Sequence, residues 1–390
     1  MKRSLLACGV LSICAGSAWA QSSVTLYGIL DEGLNYNSNS GGARLYNMSS
    51  SVLQGSRWGL RGAEDLGGGA RAIFMVENGF DLGTGKMSQG GLLFGRQAYV
   101  GIASQYGRIT LGRQYSPLDE MVGLLEAGTQ WGGSLAVHPG DMDNFDSTLR
   151  INNSVKYTNS FGGLSLGGLY SLGGVAGDFT HNQIWSVALG YVNGPLVLGV
   201  GYLDVRDPNT SFFGNGGSPA AVVGGVPGNN MTAAVYSGYA SASTQGIFGT
   251  GFAYTIGAAT VGGTYSNIRF SGLGNKAAGP NPSGYKGSVT FNDIEVNFKY
   301  QFTPTLLAGV AYNYTRGSSL NGADPAKYNQ FSAGVDYFLS KRTDIYVIGV
   351  YQAASGKDST GHAAVAQINQ LSASTSDRQG VVRLGIRHKF

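Results

Sequence analysis

Extended segments with two opposite faces recur throughout this sequence, and they constrain its fold more than any other feature. In "DIEVNFKYQF", every second residue from Ile294 to Phe302 is aliphatic or aromatic, and Asp293, Glu295 and Lys299 lie among the residues between them. Successive side chains of a β-strand point to opposite faces. The pattern therefore predicts strands that have one apolar face and one charged face.

Three further segments repeat this alternation. In "SRWGLRG", Arg57 and Arg61 alternate with apolar residues, and in "RINNSVKY" the same parity puts Ile151 on the apolar face and Arg150 on the polar face. The closing segment "GVVRLGIRHKF" alternates in the same way and ends on Phe390. Fully charged polar faces opposite large apolar side chains indicate that each strand separates water from an apolar medium.

Short turn sequences with Gly, Pro or polar residues separate many of these strands, as tight hairpins require. They lie at 64–69, 104–107, 159–163, 192–195, 256–259, 302–305 and 339–343. Seven hairpins use fourteen strands, and a first strand near 24–37 and a last strand near 380–390 bring the predicted number to sixteen.

Longer segments rich in Gly, Ser and Asn lie between the hairpins, the largest at 116–149, 206–244 and 353–379. Short turns on one rim and long loops on the other are typical of outer-membrane β-barrels. Lipid favours a closed barrel, because an open sheet edge would leave backbone groups unpaired. Sixteen strands also enclose a channel, whereas about eight would fill with side chains.

We therefore predict an all-β fold, a sixteen-stranded antiparallel transmembrane barrel. Its last strand would close the barrel, with Phe390 at the rim of short turns. A soluble secreted β-sandwich or solenoid would also alternate. Such proteins, however, rarely carry so much aromatic and aliphatic surface opposite so many charges.

The first twenty residues have a basic start, an apolar run and small residues before Gln21, which predicts a cleaved secretory signal at 1–20 and one barrel domain at 21–390. The two cysteines, Cys8 and Cys14, lie within that signal. Without Lys2 and Arg3, the chain has 24 basic and 22 acidic residues, which is no excess of the kind that binds nucleic acid. We expect an outer-membrane protein whose partner is lipid.

Six segments, in order along 21–390, are distinctive: "QSSVTLYGILDEGLNY", "SRWGLRGAEDLGGG", "GRITLGRQYSP", "RINNSVKYTNSFGG", "DYFLSKRTDIY" and "GIRHKF". Together they resemble the Gram-negative general porins, in the branch common in betaproteobacteria. The resemblance implies a homotrimer of water-filled barrels through which small hydrophilic solutes and ions diffuse passively. It also implies that the third loop, here 116–149, folds into the lumen as a constriction. A substrate-selective channel on the same fold is the alternative.

The resemblance further implies an arginine cluster at this constriction, which matches Arg57, Arg96 and Arg150. Strand parity independently places Arg57 and Arg150 on polar faces. Arg96 shares the parity of Val100 and Ile102, so its inward placement rests on the resemblance, unless a bulge shifts the register. Charged side chains at a narrow point of a channel set its ion preference.

The third loop supplies the acidic candidates. We expect Asp119, Glu120 and Glu126 at the constriction. The sequence leaves open which acids of the loop face the arginines. The acids of the loop are Asp119, Glu120, Glu126, Asp141, Asp143 and Asp146. The arginines predicted on the wall favour anions, and the acidic loop opposes them; these arginines are Arg57, Arg61, Arg96, Arg150, Arg383 and Arg387.

Neither a catalytic site, a cofactor nor a metal is expected. "GLSLG" matches a nucleophile elbow around Ser165, but it lies inside an alternating strand, whereas the elbow needs a strand, a turn and a helix. An outer-membrane enzyme such as a lipase is the alternative from another class. The histidines lack metal-binding spacing and are expected to be surface residues; they are His138, His181, His362 and His388.

Overall fold

A computed structural model describes residues 23–390, and the predicted signal at 1–20 lies outside the described residues. The chain forms one antiparallel sheet of seventeen strands. The strands are β1 (Ser23–Ser40), β2 (Ala43–Ser50), β3 (Arg57–Gly67), β4 (Ala70–Gly79), β5 (Gln97–Ser104), β6 (Gly107–Gln114), β7 (Ile151–Phe161), β8 (Leu164–Ser171), β9 (Ile184–Asn193), β10 (Leu196–Arg206), β11 (Thr244–Ile256), β12 (Ala259–Leu273), β13 (Gly287–Thr303), β14 (Leu306–Gly317), β15 (Lys327–Phe338), β16 (Thr343–Ser355) and β17 (Arg378–Lys389).

The sheet closes on itself, because from β3 to β17 each strand pairs with the next along the chain, and β1 pairs with β2, β3 and β17. Strands β2 and β3 are two halves of one barrel strand. The first half of β1 pairs with β3 at 23–29 and its second half pairs with β2 at 32–40. Counted in this way, the barrel has sixteen strands, and the predicted fold is confirmed.

All seven predicted hairpins are present, and their turns lie on one rim of the barrel. The turn between β7 and β8 shows why glycine is needed there, since Gly162 has a φ of 59°, in the left-handed region that favours glycine. The opposite rim carries the long connections, which include 115–150, 207–243 and 356–377.

The two faces of the wall differ as the sequence predicts. On β13, the side chains of Ile294, Val296 and Phe298 are exposed on the outside of the barrel, whereas Asp293 and Glu295 are buried on the inside. Within residues 23–390, no helix is long and apolar enough to cross a membrane. The outer surface is apolar, as a soluble β-sandwich would not allow, and the inner surface is polar.

The predicted register of β7 is wrong at its start. Ile151, expected on the apolar outer face, is fully buried inside the barrel. Asn153 has a φ of 50°, and the pairing of β6 with β7 shifts between Ser154 and Ile151. This irregularity adds a residue to one strand and so reverses the parity of everything before it.

The closing strand agrees with the predicted alternation, since Val382, Leu384 and Ile386 are exposed while Arg383 is buried. Beyond the last residue of β17, Phe390 continues the pairing with β1. Its N–H donates to Gly28 O and its carbonyl accepts from Gly28 N, each at 3.0 Å. The aromatic ring lies at the rim of short turns, where the sequence predicts it.

The connection between β6 and β7, which we call loop 3 (115–150), folds into the lumen. It contains helix α1 (Pro117–Met121), and a second short helix, α2 (Pro208–Ser211), lies in the connection after β10. Single helical turns lie at Gln89–Gly91, Gly123–Leu125, Gly128–Gly132, Gly133–Leu135, Pro139–Asp141 and Ser237–Tyr239. The apolar side chains of loop 3, such as Leu118, Trp131 and Phe145, are buried against the inner wall.

Candidate constriction of the lumen

The wall opposite loop 3 is irregular where β2 gives way to β3. The carboxylate of Asp31 accepts hydrogen bonds from Val52 N and Gln54 N, both at 3.2 Å, and pairs with Arg383 at 3.0 Å. These contacts hold the segment 51–56 away from regular strand geometry. Ser134 N of loop 3 donates to Val52 O at 2.7 Å, so this irregular segment is also a docking point for the loop.

Two of the predicted arginines share one carboxylate on the wall. Arg96 Nε lies 2.8 Å from Glu77 Oε1, and Arg57 Nε lies 3.6 Å from Glu77 Oε2. Tyr27 OH donates to the same Oε2 at 2.8 Å. Glu77 is buried on β4, and one carboxylate beside two guanidinium groups leaves an excess positive charge on this part of the wall.

Arg96 reaches the lumen although strand parity places it outside. Val100 and Ile102 are exposed on the outer face as their parity predicts. Arg96, however, precedes the first residue of β5, Gln97, and so does not follow that strand's alternation. Its guanidinium points inward to Glu77.

The third arginine is joined to the second through a tyrosine. Tyr115 OH accepts hydrogen bonds from Arg96 Nη2 at 2.8 Å and from Arg150 Nη2 at 3.2 Å. The Arg150 guanidinium also lies 5.0 Å from the centre of the Tyr115 ring, and its Nη1 donates to Thr148 O at 2.8 Å. Tyr115 thus holds two cations near each other and fixes the direction of both.

Loop 3 faces these arginines across an opening of about 430 Å³. Asp119 and Glu120 of α1 line it, as predicted, together with Asp146 near the end of the loop. Asp119 accepts a hydrogen bond from Ser147 Oγ at 2.9 Å, and Glu120 pairs with Lys156 Nζ at 2.7 Å. The opening therefore has arginines on one side and carboxyl groups on the other.

The charge of the loop side depends on pH. Burial, together with the neighbouring Glu120 carboxylate, raises the pKa of the Asp119 carboxyl to about 8. Burial also raises the pKa of Asp146 to about 6, against the opposing effect of Arg150 and Arg96. At neutral pH the Asp119 carboxyl is thus mainly protonated, and the arginine side carries the larger net charge.

Glu126, expected at the constriction, lies elsewhere. It is fully buried on the far side of loop 3, against β13, where no residue lining the opening contacts its carboxylate in the described part of the chain. Its Oε1 accepts a hydrogen bond from His138 N at 2.8 Å. The sequence could not separate this acid from its neighbours, because loop 3 has no regular periodicity.

His138 lies beside Glu126 and is only 1% exposed, so the expectation of a surface histidine is wrong for this residue. Its ring contacts carboxylates from two elements: Glu126 and Asp143 of loop 3, and Asp293 and Glu295 of β13. Burial opposes the charged imidazole, but the nearby carboxylates outweigh it and raise the pKa of His138 well above its usual value.

Two of the six arginines that the sequence predicts to make the wall positive, Arg383 and Arg387, are paired with carboxylates. Arg383 is 0% exposed and is held by Asp31 and by Tyr346 OH, which accepts from its Nε at 2.7 Å. Arg387 pairs with Asp344 at 2.7 Å. Arg61 is exposed in the lumen, 5.4 Å from the Tyr27 ring centre. The positive potential of the wall therefore comes from fewer arginines than the sequence suggests.

Sequence reasoning missed Glu77 and Tyr115, which organise the arginine cluster. Glu77 is the lone acid in the strand "ARAIFMVENG", and an acid after the apolar run from Ala72 to Val76 was the available signal. Tyr115 lies just outside a strand, where alternation gives no information. The role of Glu77 follows only from the pairing of β3 with β4, which brings Gly59 opposite Glu77.

Comparison with known proteins gives concordant results. A sequence model of Gram-negative porins matches residues 7–357. An outer membrane porin protein of Bordetella pertussis is 32% identical over 391 residues, which covers 90% of this chain and 94% of the relative. Outer membrane porin protein 32 of Delftia acidovorans is 35% identical over 213 residues, covering 52% of this chain and 59% of the relative.

Among solved structures, the anion-selective porin from Comamonas acidovorans matches with a TM-score of 0.71. The match covers 95% of this chain and 100% of that protein, at 22% sequence identity. At this identity the structural likeness describes the fold.

Proposed function

This chain belongs to the Gram-negative porin family and forms an outer-membrane channel, and we propose that Arg57, Arg96 and Arg150 line its constriction and bias it toward anions. Small hydrophilic solutes and ions would pass by diffusion through the opening between these arginines and loop 3. The observation that carries this proposal is the opening itself, which has three guanidinium groups on the wall and Asp119 and Glu120 on the loop.

The balance of charges at the opening favours anions. Three arginines line the wall side with one buried carboxylate, Glu77, which pairs with Arg57 and Arg96 only, so that the wall side has an excess of positive charge. On the loop side, Glu120 is paired with Lys156, and the pKa of Asp119 is raised to about 8. A permeating anion is attracted to the wall side, since a narrow, low-dielectric passage screens charges poorly.

Planar-bilayer recording tests this proposal. Purified protein should give stable open-channel steps, and a salt gradient should give a reversal potential of the sign for anion preference. Absence of channel steps would contradict diffusion through the barrel. Cation preference in the wild-type protein would contradict the charge balance but leave the channel intact.

A substrate-selective channel is the second candidate, and two hydrogen bonds of Asn215 favour it. The connection after β10 reaches down to the arginine cluster, where Asn215 Nδ2 donates to Arg150 O at 3.1 Å and Asn215 O accepts from Arg113 Nη1 at 3.1 Å. An external loop at this position could shape the path of one solute class. Liposome swelling separates the two: rates ordered by solute size favour general diffusion, and one solute far faster than its size predicts favours selectivity.

We propose a homotrimer as the assembly. An apolar groove of about 850 Å³ on the outer wall supports it, because Gly349 and Gly380 leave a depression between larger side chains such as Phe331 and Val382. A second apolar surface could pack there as well as lipid does. Migration on SDS gels with and without heating tests this assembly, and a single monomer band in both lanes would contradict it.

Passive transport involves no bond that is made or broken, and we propose no enzymatic activity. Ser165, the nominal nucleophile, lies on β8 directly after a tight turn, and its Oγ shares a hydrogen bond of 2.8 Å with Ser160 Oγ across the hairpin. Loss of an esterase activity in a Ser165→Ala variant would contradict this proposal.

A further inference from the structure

We propose that Glu126, His138 and Glu295 bind a zinc ion that ties loop 3 to the barrel wall. The two elements come together only in the folded chain, since Glu126 and His138 belong to loop 3 and Glu295 to β13. The proposed site lies on the opposite side of the loop from the opening. It therefore goes beyond the transport function and does not depend on it.

The spacing of the three side chains suits one metal ion. His138 Nε2 lies 3.5 Å from Glu126 Oε1 and 3.7 Å from Glu295 Oε2. A ligand atom from each of the three residues lies within 4.8 Å of the others. Two ligands at about 2.1 Å from a tetrahedral zinc ion are about 3.4 Å apart. The observed separations thus need only small adjustments for all three residues to contact a common ion.

The histidine is oriented as zinc-binding histidines are. Asp143 Oδ2 lies 2.7 Å from His138 Nδ1, and the same oxygen accepts a hydrogen bond from Ser266 Oγ at 2.6 Å. A carboxylate at Nδ1 fixes the proton on that nitrogen, so that Nε2 can present its lone pair to a metal. Nε2 is the nitrogen that faces both Glu126 and Glu295.

Two buried oxygen atoms point independently to a missing positive partner. Glu126 Oε2 and Glu295 Oε2 have no hydrogen-bond partner, although both residues are at most 1% exposed. Buried carboxylate oxygens without a partner are rare in folded proteins, because burial removes the water that would otherwise bind them. The other oxygen of each residue is satisfied, by His138 N for Glu126 and by Ala127 N for Glu295.

The balance of charge leads to the same conclusion. Four carboxylates, from Glu126, Asp143, Asp293 and Glu295, surround one imidazole, and every ion pair that they form in the described part of the chain is with His138. A divalent cation would offset two of these charges. A nitrogen ligand with two carboxylates is a set that zinc accepts, whereas calcium and magnesium prefer oxygen ligands alone.

A fourth ligand is available from the same place. Thr264 Oγ1 on β12 lies 3.2 Å from His138 Nε2, so its hydroxyl, or a water molecule beside it, could complete a tetrahedron. Asp293 is engaged separately, by hydrogen bonds from Asn313 and Thr315. The site would therefore use loop 3, β12 and β13 and would hold the loop against both strands.

Metal analysis of the refolded protein tests the proposal. The full mature chain is unfolded, refolded in detergent with zinc chloride or with a chelator, passed through a desalting column and measured for zinc per chain. We expect one zinc ion per chain in the wild-type protein refolded with zinc. His138→Gln and Glu126→Gln should lose it, while His181→Gln should keep it, since His181 is an exposed histidine 3.6 Å from Asp207 Oδ2.

Refolding with cobalt(II) gives a second readout, because cobalt bound to histidine and carboxylate ligands absorbs visible light. The wild-type protein and His181→Gln should show the bands, and His138→Gln should not. Folding of every variant is checked by heat-modifiable gel mobility. If one of the two site variants fails to fold, the other still tests the site.

The proposal is overturned if the wild-type protein folds but keeps no more zinc than His138→Gln does. The carboxyl groups around His138 would then be stabilised by shared protons instead of a metal ion. Retention of zinc by both site variants would overturn it equally. Neither result bears on conductance, so failure of this inference is distinguishable from failure of the transport function.

Discussion

The two sides of loop 3 use charge in opposite ways. Toward the arginine cluster, Asp119 and Glu120 line an opening of about 430 Å³. Toward β13, Glu126 and His138 are buried with the acids of the wall. The acids on the open side border the opening, where they would act on passing ions, whereas the acids on the closed side contact the wall and His138. We therefore propose that position relative to the opening, rather than residue type, decides which acids of the loop affect transport.

Packing adds to this difference. On the closed side, the Trp131 ring packs directly against Gly309 of β14 and Gly334 of β15, where a Cβ atom would leave no space for it. Gln330 Nε2 donates to Val137 O at 2.8 Å, and Gln245 Nε2 donates to Met142 O at 2.9 Å. On the open side, the apolar contact of a lining residue with the loop is that of Leu53 with Leu135 and Ala136. The closed side therefore adds the large Trp131 anchor, and we propose that the open side receives the solute.

Removing the apolar anchor of the closed side should give the largest effect. Trp131→Ala deletes a buried indole and should destabilise the docked loop by about 3–5 kcal/mol. We expect faster hydrogen exchange across 115–150 and noisier single-channel currents, with the barrel intact. Tyr106→Ala, at an exposed turn of the rim, is the control and should leave both unchanged. Unaltered exchange in Trp131→Ala would show that the closed side does not hold the loop.

Removing cations from the open side should change ion preference instead of stability. The double variant Arg57→Gln and Arg150→Gln keeps the pair between Arg96 and Glu77. Each charge at about 7 Å from a passing ion stabilises an anion and destabilises a cation by about 0.6 kcal/mol in water, so each charge shifts the anion-to-cation ratio by about 1.2 kcal/mol. Loss of two charges should therefore lower this ratio roughly fiftyfold. Reversal potentials across a salt gradient measure this ratio.

Arg342→Gln, in the turn between β15 and β16, removes one charge far from the opening and should leave the ratio unchanged. An equal shift in this control and in the double variant would mean that overall charge, rather than the constriction, sets the preference.

The open side should also respond to pH. At about pH 5 the carboxyls of Asp119 and Asp146 are protonated and neutral. Raising the pH through about 6 ionises Asp146, and raising it through about 8 ionises Asp119, which faces Glu120, Arg150 and Lys156. Each step adds negative charge, so anion preference should decrease as pH rises. Asp119→Asn should abolish the upper step, and an anion preference that increases with pH would contradict the assignment.

The smallest effect is expected at a compensated charge. Glu120→Gln frees Lys156 from a pair that is partly exposed, with an energy of about 0–1 kcal/mol. Anion preference should rise by no more than about sevenfold. Asp324→Asn, which breaks a similar pair with Lys327 in an external connection, should give no change. A decrease in anion preference in Glu120→Gln would contradict the placement of the Glu120 carboxylate at the opening.

The barrel was predictable from the sequence because alternation and turn residues are local signals. Strand faces, hairpins and the closing pair of Phe390 with Gly28 all follow from them. The start of β7 was not predictable, since the left-handed Asn153 reverses the parity and turns Ile151 inward. One residue in an unusual backbone conformation is enough to make a prediction of strand faces from alternation wrong.

The sequence also could not show which acids of loop 3 face the opening and which face β13. Glu126 and Asp119 are both acids in an irregular segment, and only the fold places one against β13 and the other at the opening. The candidate metal ligands His138 and Glu295 are 157 positions apart, so their approach leaves no spacing signal. The resemblance to porins predicted the three arginines. The pairing of β3 with β4 was needed to find Glu77, the carboxylate with which Arg57 and Arg96 both pair.

Two matched cysteine variants test whether ions pass on the open side of loop 3 and not on the closed side. Thr129→Cys places a thiol in the opening, and Thr264→Cys places one on the buried side, against His138. A charged methanethiosulfonate reagent added to open channels should reduce the conductance of Thr129→Cys and leave that of Thr264→Cys unchanged. Reduction in Thr264→Cys alone, or in neither variant, would contradict passage of ions between loop 3 and the arginine cluster.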